Sequence, residues 1–261
     1  MGLFHYIATF LVGLCFGSFA NVVAYRLPLG KSIIHPPSSC PSCSRRLGGM
    51  DLIPVLSWVL LLARCRYCGA KIPLSYPLAE LVCGLLFLGM SYFFVSLSYI
   101  PLAFLAFVLL TVTLTDINTR TIPDGLLIAG AIAGVLWIGL SVVFPAHFLQ
   151  APSWRSALFG VLTGGIPLII LDRVSLYLFN KDGFGFGDVK LMAMIGIFLG
   201  WRLVLVAFFV AFVSAGIIAS LLLFLNKVKR GDYIAFGPYL CAGSLFSLWF
   251  GDEIIVMLYF S

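Results

Sequence analysis

Charged side chains are what this 261-residue sequence has least of: 10% of its residues, against roughly 25% in an average soluble domain. With 62% hydrophobic residues, that scarcity excludes an ordinary water-soluble enzyme. Histidine is scarcer still. The three histidines, His5, His35 and His147, fall in different segments, which argues against a histidine-built zinc hydrolase and against a Cys–His or Ser–His nucleophile. No HExxH pair and no phosphate-binding Walker loop occurs. Residues 1–25 lack the basic start and the small-residue cleavage site of a secretory signal, and read as a retained first span. Heptads, low-complexity linkers and any convincing internal repeat are also missing.

Apolar length, by contrast, is abundant. Runs long enough to cross hydrocarbon lie at 3–25, 77–97, 100–117, 124–144, 156–180, 188–200, 202–226 and 236–259, separated by polar, Pro or Gly breaks. A membrane helix takes about 20 apolar residues, so the expected fold is an all-α polytopic membrane protein of about eight transmembrane helices. The break at Gly200-Trp201-Arg202 is the weakest of these boundaries. Eight spans put the connections alternately on two sides. Connections one, three, five and seven hold Arg26, Lys31, Arg45, Arg46, Arg64, Arg66, Lys71, Arg120, Lys181, Lys190, Lys227, Lys229 and Arg230, thirteen of the sixteen basic residues. The positive-inside rule then places these connections in the cytoplasm and both termini outside. The net charge of +6 reflects topology and implies no nucleic-acid partner.

The one sizeable soluble segment is residues 27–76, rich in Pro, Ser, Cys and basic residues. It carries Cys40-Pro-Ser-Cys43 and Cys65-Arg-Tyr-Cys68, two pairs separated by twenty-one residues. Such pairs bring four thiolates to a tetrahedral Zn²⁺, and a closed four-sulfur shell makes the site structural. Two disulfides are the alternative, which a reducing cytoplasm disfavours. The segment cannot bury much core of its own, so the metal would supply folding energy. Cys15, Cys83 and Cys241 lie in apolar runs and read as buried thiols.

Ten acids are few enough to weigh singly. Asp51, Glu80, Asp232, Asp252 and Glu253 read as solvated surface charge, and Asp172 as a local partner of Arg173. Asp116 differs, because it ends the third span, where the helix dipole disfavours a negative charge. Asp188 begins the sixth span after Gly183-Phe184-Gly185-Phe186-Gly187 and could simply cap that helix. On the topology above, both lie at the same depth on the cytoplasmic side. Brought together, they would share one proton, one activating water while the other protonates a leaving group. Gly183, Gly185 and Gly187 would let an extended substrate approach the backbone, although a turn between helices explains them equally. Asp124 competes for the first position, with an N-cap to the fourth span as its alternative role.

At these residues the sequence resembles the type IV prepilin peptidases, bacterial GxGD-class aspartic proteases. Gly185-Phe186-Gly187-Asp188-Val189-Lys190-Leu191 is similar to the second catalytic motif of that family, and Asp116 followed by Ile122-Pro123-Asp124 to its first. Gly17-Ser18-Phe19-Ala20-Asn21-Val22-Val23-Ala24-Tyr25-Arg26-Leu27-Pro28 matches the opening signature, and the cysteine pairs match the zinc-bearing form. The resemblance implies a bacterial inner-membrane endopeptidase, catalytic at Asp116 and Asp188, with Gly185, Gly187 and Lys190 in its active-site loop. It also implies prepilin or pseudopilin substrates and methylation of the new N-terminus by S-adenosylmethionine. Asn21, Arg26 and Glu80, where 27–76 joins the spans, are candidates to meet that cofactor, with interfacial hydrogen bonding as an equal account. The expected organisation is a first helix (1–26), a zinc-binding insertion (27–76) for methyl transfer and a seven-helix peptidase (77–261). Membrane lipids are the other expected partner, and oligomeric state is left open. Without the resemblance, an ion- or solute-coupled transporter using the same two aspartates is the rival reading.

Overall fold

In hydrocarbon each backbone N–H and C=O must be bonded within its own segment, so apolar runs of this length form helices. A computed structural model describes residues 2–94, 96–148, 150–179, 185–227 and 235–260. They form α1 (Leu3–Arg26), α2 (Leu56–Leu60), α3 (Ser75–Phe93), α4 (Tyr99–Thr119), α5 (Asp124–Val143), α6 (Trp154–Phe179), α7 (Phe186–Phe224) and α8 (Gly237–Phe260), with short 3₁₀ turns between some of them. All but α2 are long and apolar enough to cross a membrane. Proline marks several starts, where its missing N–H breaks no helical bond: Pro77 in α3, Pro101 in α4, Pro123 before α5 and Pro238 in α8. Helix α4 is central and packs on α1, α3, α5 and α8, burying Leu105, Leu109 and Val112 completely.

Lipid tails are as apolar as leucine, so the helices are held by close backbone approach at small residues. Three antiparallel seams do this. Gly13 and Gly17 of α1 lie on Gly84 and Glu80 of α3; Gly160 and Gly164 of α6 lie on Gly196 and Met192 of α7; Gly243 of α8 lies on Ala207 and Ala211. At the first two the glycines are four apart, so one helix face meets the other turn after turn.

The seams also explain α7. Its 39 residues would reach about 58 Å, twice a hydrocarbon layer of about 30 Å. At Gly200 the backbone leaves the helical region, with φ 68° and ψ 173°, a conformation glycine adopts without strain. Before that point Met192, Gly196 and Gly200 step along Gly164, Gly160 and Ser156; beyond it, Leu203 meets Ser247 and Gly251, while Ala211 meets Gly243 nearer the start of α8. The second arm therefore returns to the end from which the first set out. Seven helices give eight passes, with the reversal at the boundary expected to be weakest.

The insertion departs from expectation by containing a repeat. In the first half Cys40 N–H donates to Arg45 O, Ser44 N–H to Cys40 O and Leu47 N–H to Ser38 O; in the second Cys65 N–H donates to Ala70 O, Gly69 N–H to Cys65 O and Ile72 N–H to Ala63 O. Ser44 and Gly69 both take positive φ, 56° and 70°. The sequences share little besides the cysteines, so the repeat shows only in the backbone. Cys15 is also corrected: Cys83 and Cys241 are buried as expected, but Cys15 is exposed on the bundle surface.

A side chain placed at Gly160 must displace the backbone of Gly196. Gly160→Leu is expected to destabilise the protein by about 1–3 kcal/mol, read as a lower thermal unfolding midpoint in detergent. Gly139→Leu, where a Cβ meets nothing within 4 Å, should leave the midpoint unchanged.

Candidate active site

Asp116 lies one turn before the end of α4 and is 4% exposed. Its own helix has no free N–H to offer at that end, although the Arg120 cation that caps it is near enough to attract the carboxylate. The missing donor comes from α8: the N–H of Gly237, first residue of that helix, donates to Asp116 Oδ2 at 3.0 Å. A carboxylate disfavoured at one helix C-terminus thus rests on the positive end of another. A Cβ on Gly237 would stand 2.6 Å from Oδ2, so the contact requires glycine. Sequence reasoning missed Gly237; the Gly-Pro pair opening the last apolar run was the available signal.

Asp188 sits in the first turn of α7, also 4% exposed. Its Oδ2 accepts the Gly185 N–H at 3.2 Å, so the capping role is real. Capping does not account for its burial or its neighbour, because Asp188 lies close enough to Asp116 for their charges to interact. Gly187 packs under Ile122, whose Cβ is 3.2 Å from where a Gly187 Cβ would lie. The turn after α4 is thereby laid against the start of α7. The buried Cys241 thiol of α8 is near enough to both carboxylates to feel their charges. Gly183 and Phe184, with Lys181, Lys229, Arg230 and Asp232, lie outside the described residues.

Lys190 is bonded to a third acid, Asp124. Its Nζ donates to Asp124 Oδ1 at 2.8 Å and Oδ2 at 2.9 Å, and stands 4.9 Å from the centre of the Phe186 ring. Asp124 is therefore no N-cap: Pro123 occupies that position, and the Asp124 carboxylate is taken by Lys190.

In the insertion, Sγ of Cys40 and Cys68 are 3.8 Å apart, and the four sulfurs of Cys40, Cys43, Cys65 and Cys68 lie within 4.8 Å of one another. Four sulfurs at about 2.3 Å from a tetrahedral Zn²⁺ are about 3.8 Å apart, so the group fits that ion. All seven cysteines are free, and the four sulfurs face one common centre rather than pairing off. Backbone N–H groups of Cys43 and Ser42 draw the Cys40 thiol down to about 6, favouring the thiolate that a metal takes. Asp51, expected to be a solvated charge, instead ties the two knuckles: it accepts the Gly48 N–H at 3.0 Å, Arg66 Nε at 2.7 Å and the Tyr67 hydroxyl at 3.2 Å. The Gly48 N–H first, and then Arg66, hold its carboxyl below the usual range.

Glu80 is likewise no surface charge. It is buried, and its Oε2 accepts the Val55 N–H at 2.7 Å. Asn21 Nδ2 donates to Gly17 O at 3.3 Å and Tyr76 O at 3.2 Å, on the same α1–α3 seam, and Arg26 Nη1 donates to Ser32 O at 3.1 Å. These bonds fit all three to seating the insertion on the bundle.

Elemental analysis is expected to find about one zinc per chain, lost in Cys65→Ser. Asp51→Asn should keep the zinc but release it to a chelator a few-fold faster, because a partly exposed Arg66 loses its charged partner.

Comparison with known proteins bears on this geometry. The family model described as the Bacterial Peptidase A24 N-terminal domain matches residues 11–94, and that of the Type IV leader peptidase family matches residues 102–220. A Bacillus subtilis (strain 168) protein named prepilin leader peptidase/N-methyltransferase is 33% identical over 248 residues, 94% of each chain. A Pseudomonas aeruginosa protein of that name is 30% identical over 272 residues, 95% of this chain and 91% of its own. A Myxococcus xanthus namesake is 36% identical over 215 residues, 82% of this chain but 62% of its own length. No solved structure matches. With both family models matching in order, and two of these relatives at least 30% identical over more than 90% of their own length, the chain belongs to the type IV leader peptidase family.

Proposed function

We propose that the protein cleaves the leader from type IV prepilins or type II secretion pseudopilins at the cytoplasmic face of the bacterial inner membrane, with Asp116 and Asp188 as the catalytic pair. The observation that carries this reading is the convergence of two buried carboxylates, each held by a glycine N–H, at the meeting of α4, α7 and α8. The cytoplasmic side follows from the distribution of basic residues.

The chemistry is general acid–base hydrolysis. One carboxylate takes a proton from water as its oxygen attacks the scissile carbonyl carbon. The other, carrying the proton the pair shares, delivers it to the departing nitrogen as the C–N bond breaks. Gly237 and Gly185 hold one oxygen of each carboxylate. The substrate helix must unwind locally, because a helical carbonyl is already bonded. Gly187, packed on Ile122, fixes the start of α7 beside the pair, and Lys190, held by Asp124, braces the same turn.

The amine freed by the cut is the acceptor for the methyl group that S-adenosylmethionine supplies. That second activity rests on the relatives' names, and the zinc-binding insertion, residues 27–76, is the part we assign to it. Asn21, Arg26 and Glu80, at its junction with the bundle, position the insertion for this step.

Purified protein in detergent should cut a prepilin. Asp116→Asn and Asp188→Asn should each lower the rate by about 10²–10⁴-fold without loss of zinc, and retention of cleavage in either variant overturns the pair. Gly237→Ala should lower kcat by about 10²-fold through displacement of Asp116, with KM little changed. Mass spectrometry of the cut pilin, with and without S-adenosylmethionine, tests the methyl transfer separately.

A further inference from the structure

Helix α2 is amphipathic the wrong way round for a domain in water. Leu56, Val59 and Leu60, three and four residues apart, share one face and are 52%, 53% and 71% exposed. Ser57 and Trp58 turn inward, the Trp58 indole N–H donating to Ile72 O at 3.1 Å. Leu52, Ile53 and Leu62 extend the exposed apolar surface on either side.

The height of this surface is set by Glu80. Pro54-Val55-Leu56 make a tight turn, the Leu56 N–H donating to Pro54 O at 2.6 Å with Val55 at φ 60°, and the Val55 N–H is held by the Glu80 carboxylate. Glu80 is the sixth residue of α3, about 7.5 Å along that helix from its start. The turn leading into α2 therefore reaches down beside the bundle to the second turn of a spanning helix, which is the depth of lipid headgroups and upper acyl chains. The same insertion, residues 27–76, has six basic residues and a single acid, Asp51, and that acid is already paired with Arg66.

We propose that α2 and its flanks are an interfacial anchor: Leu56, Val59 and Leu60 dip into the bilayer surface while basic side chains of the same insertion meet acidic phospholipid headgroups. Apolar side chains beneath a basic collar are the pattern of helices that lie on anionic membranes. A second copy of the chain is a poorer occupant, because it would bring two positive collars together.

The test uses the full-length protein in lipid nanodiscs, with the photoreactive benzoylphenylalanine in place of Leu60. Irradiation should yield mainly lipid adducts, and their yield should rise about threefold when phosphatidylglycerol replaces a third of the phosphatidylcholine. Cross-links mainly to a second chain, or to added prepilin, overturn the proposal, as does a lipid yield indifferent to headgroup charge. In a second measurement, Leu56→Ser combined with Leu60→Ser should make backbone amides of residues 56–63 exchange about tenfold faster in the bilayer at unchanged zinc content. Unchanged exchange overturns the anchor; if the variant loses zinc, the cross-link, which needs no destabilising change, decides. Neither readout requires peptidase activity, so failure here and failure of the proposed reaction are separate results.

Discussion

A carboxylate taken out of water must be met by hydrogen-bond donors, and an apolar bundle has few to give. This one supplies them from backbone at helix starts. Asp116 is met by the first N–H of α8 and Asp188 by the N–H just before α7. Both donors belong to glycines, which bring backbone, and nothing else, up to the acid. The arrangement makes three helices interdependent: α4 ends in a charge to which α8 supplies the backbone donor, and α7 begins with a charge within reach of that one.

That interdependence needs the helices held in register to within a fraction of a turn, which hydrophobic contact in lipid does not provide. The glycine seams do. Gly160 on Gly196 and Gly164 on Met192 leave no freedom to slide α6 along α7, and Gly243 on Ala207 and Ala211 fixes α8 against the returning arm. The insertion is fastened with the same economy, by Asn21 and Glu80 at the α1–α3 seam and by Asp51 between its knuckles.

Much of this was legible in the sequence because the physics involved is local. Apolar length gives the spans, Cys-x-x-Cys gives the metal group, and a charge at the wrong end of a helix marks Asp116 as needing explanation. What stayed hidden depends on partners distant in the chain. Gly237 reads as the start of a helix until Asp116, 121 residues earlier, is found against it. Asp51 and Glu80 read as surface charge because composition cannot show that a backbone N–H waits for each. Asp124 looked like a cap, and only the fold shows Lys190 reaching it. The two cysteine pairs were legible, but not that their backbones repeat one another, because the hydrogen bonding repeats where most side chains do not.

The reversal at Gly200 has a bearing on the lipid as well as on the chain. The arm from Phe186 to Leu199 has fourteen residues, about 21 Å of helix, well short of the hydrocarbon layer it must traverse. A segment so short is not matched to the bilayer by its own length; α6 and the returning arm hold it at its depth, and the lipid must adjust. Hydrophobic mismatch of this kind is relieved by a dimple in the leaflet. A layer thinned there would bring its aqueous boundary nearer to Asp188, at the start of the short arm.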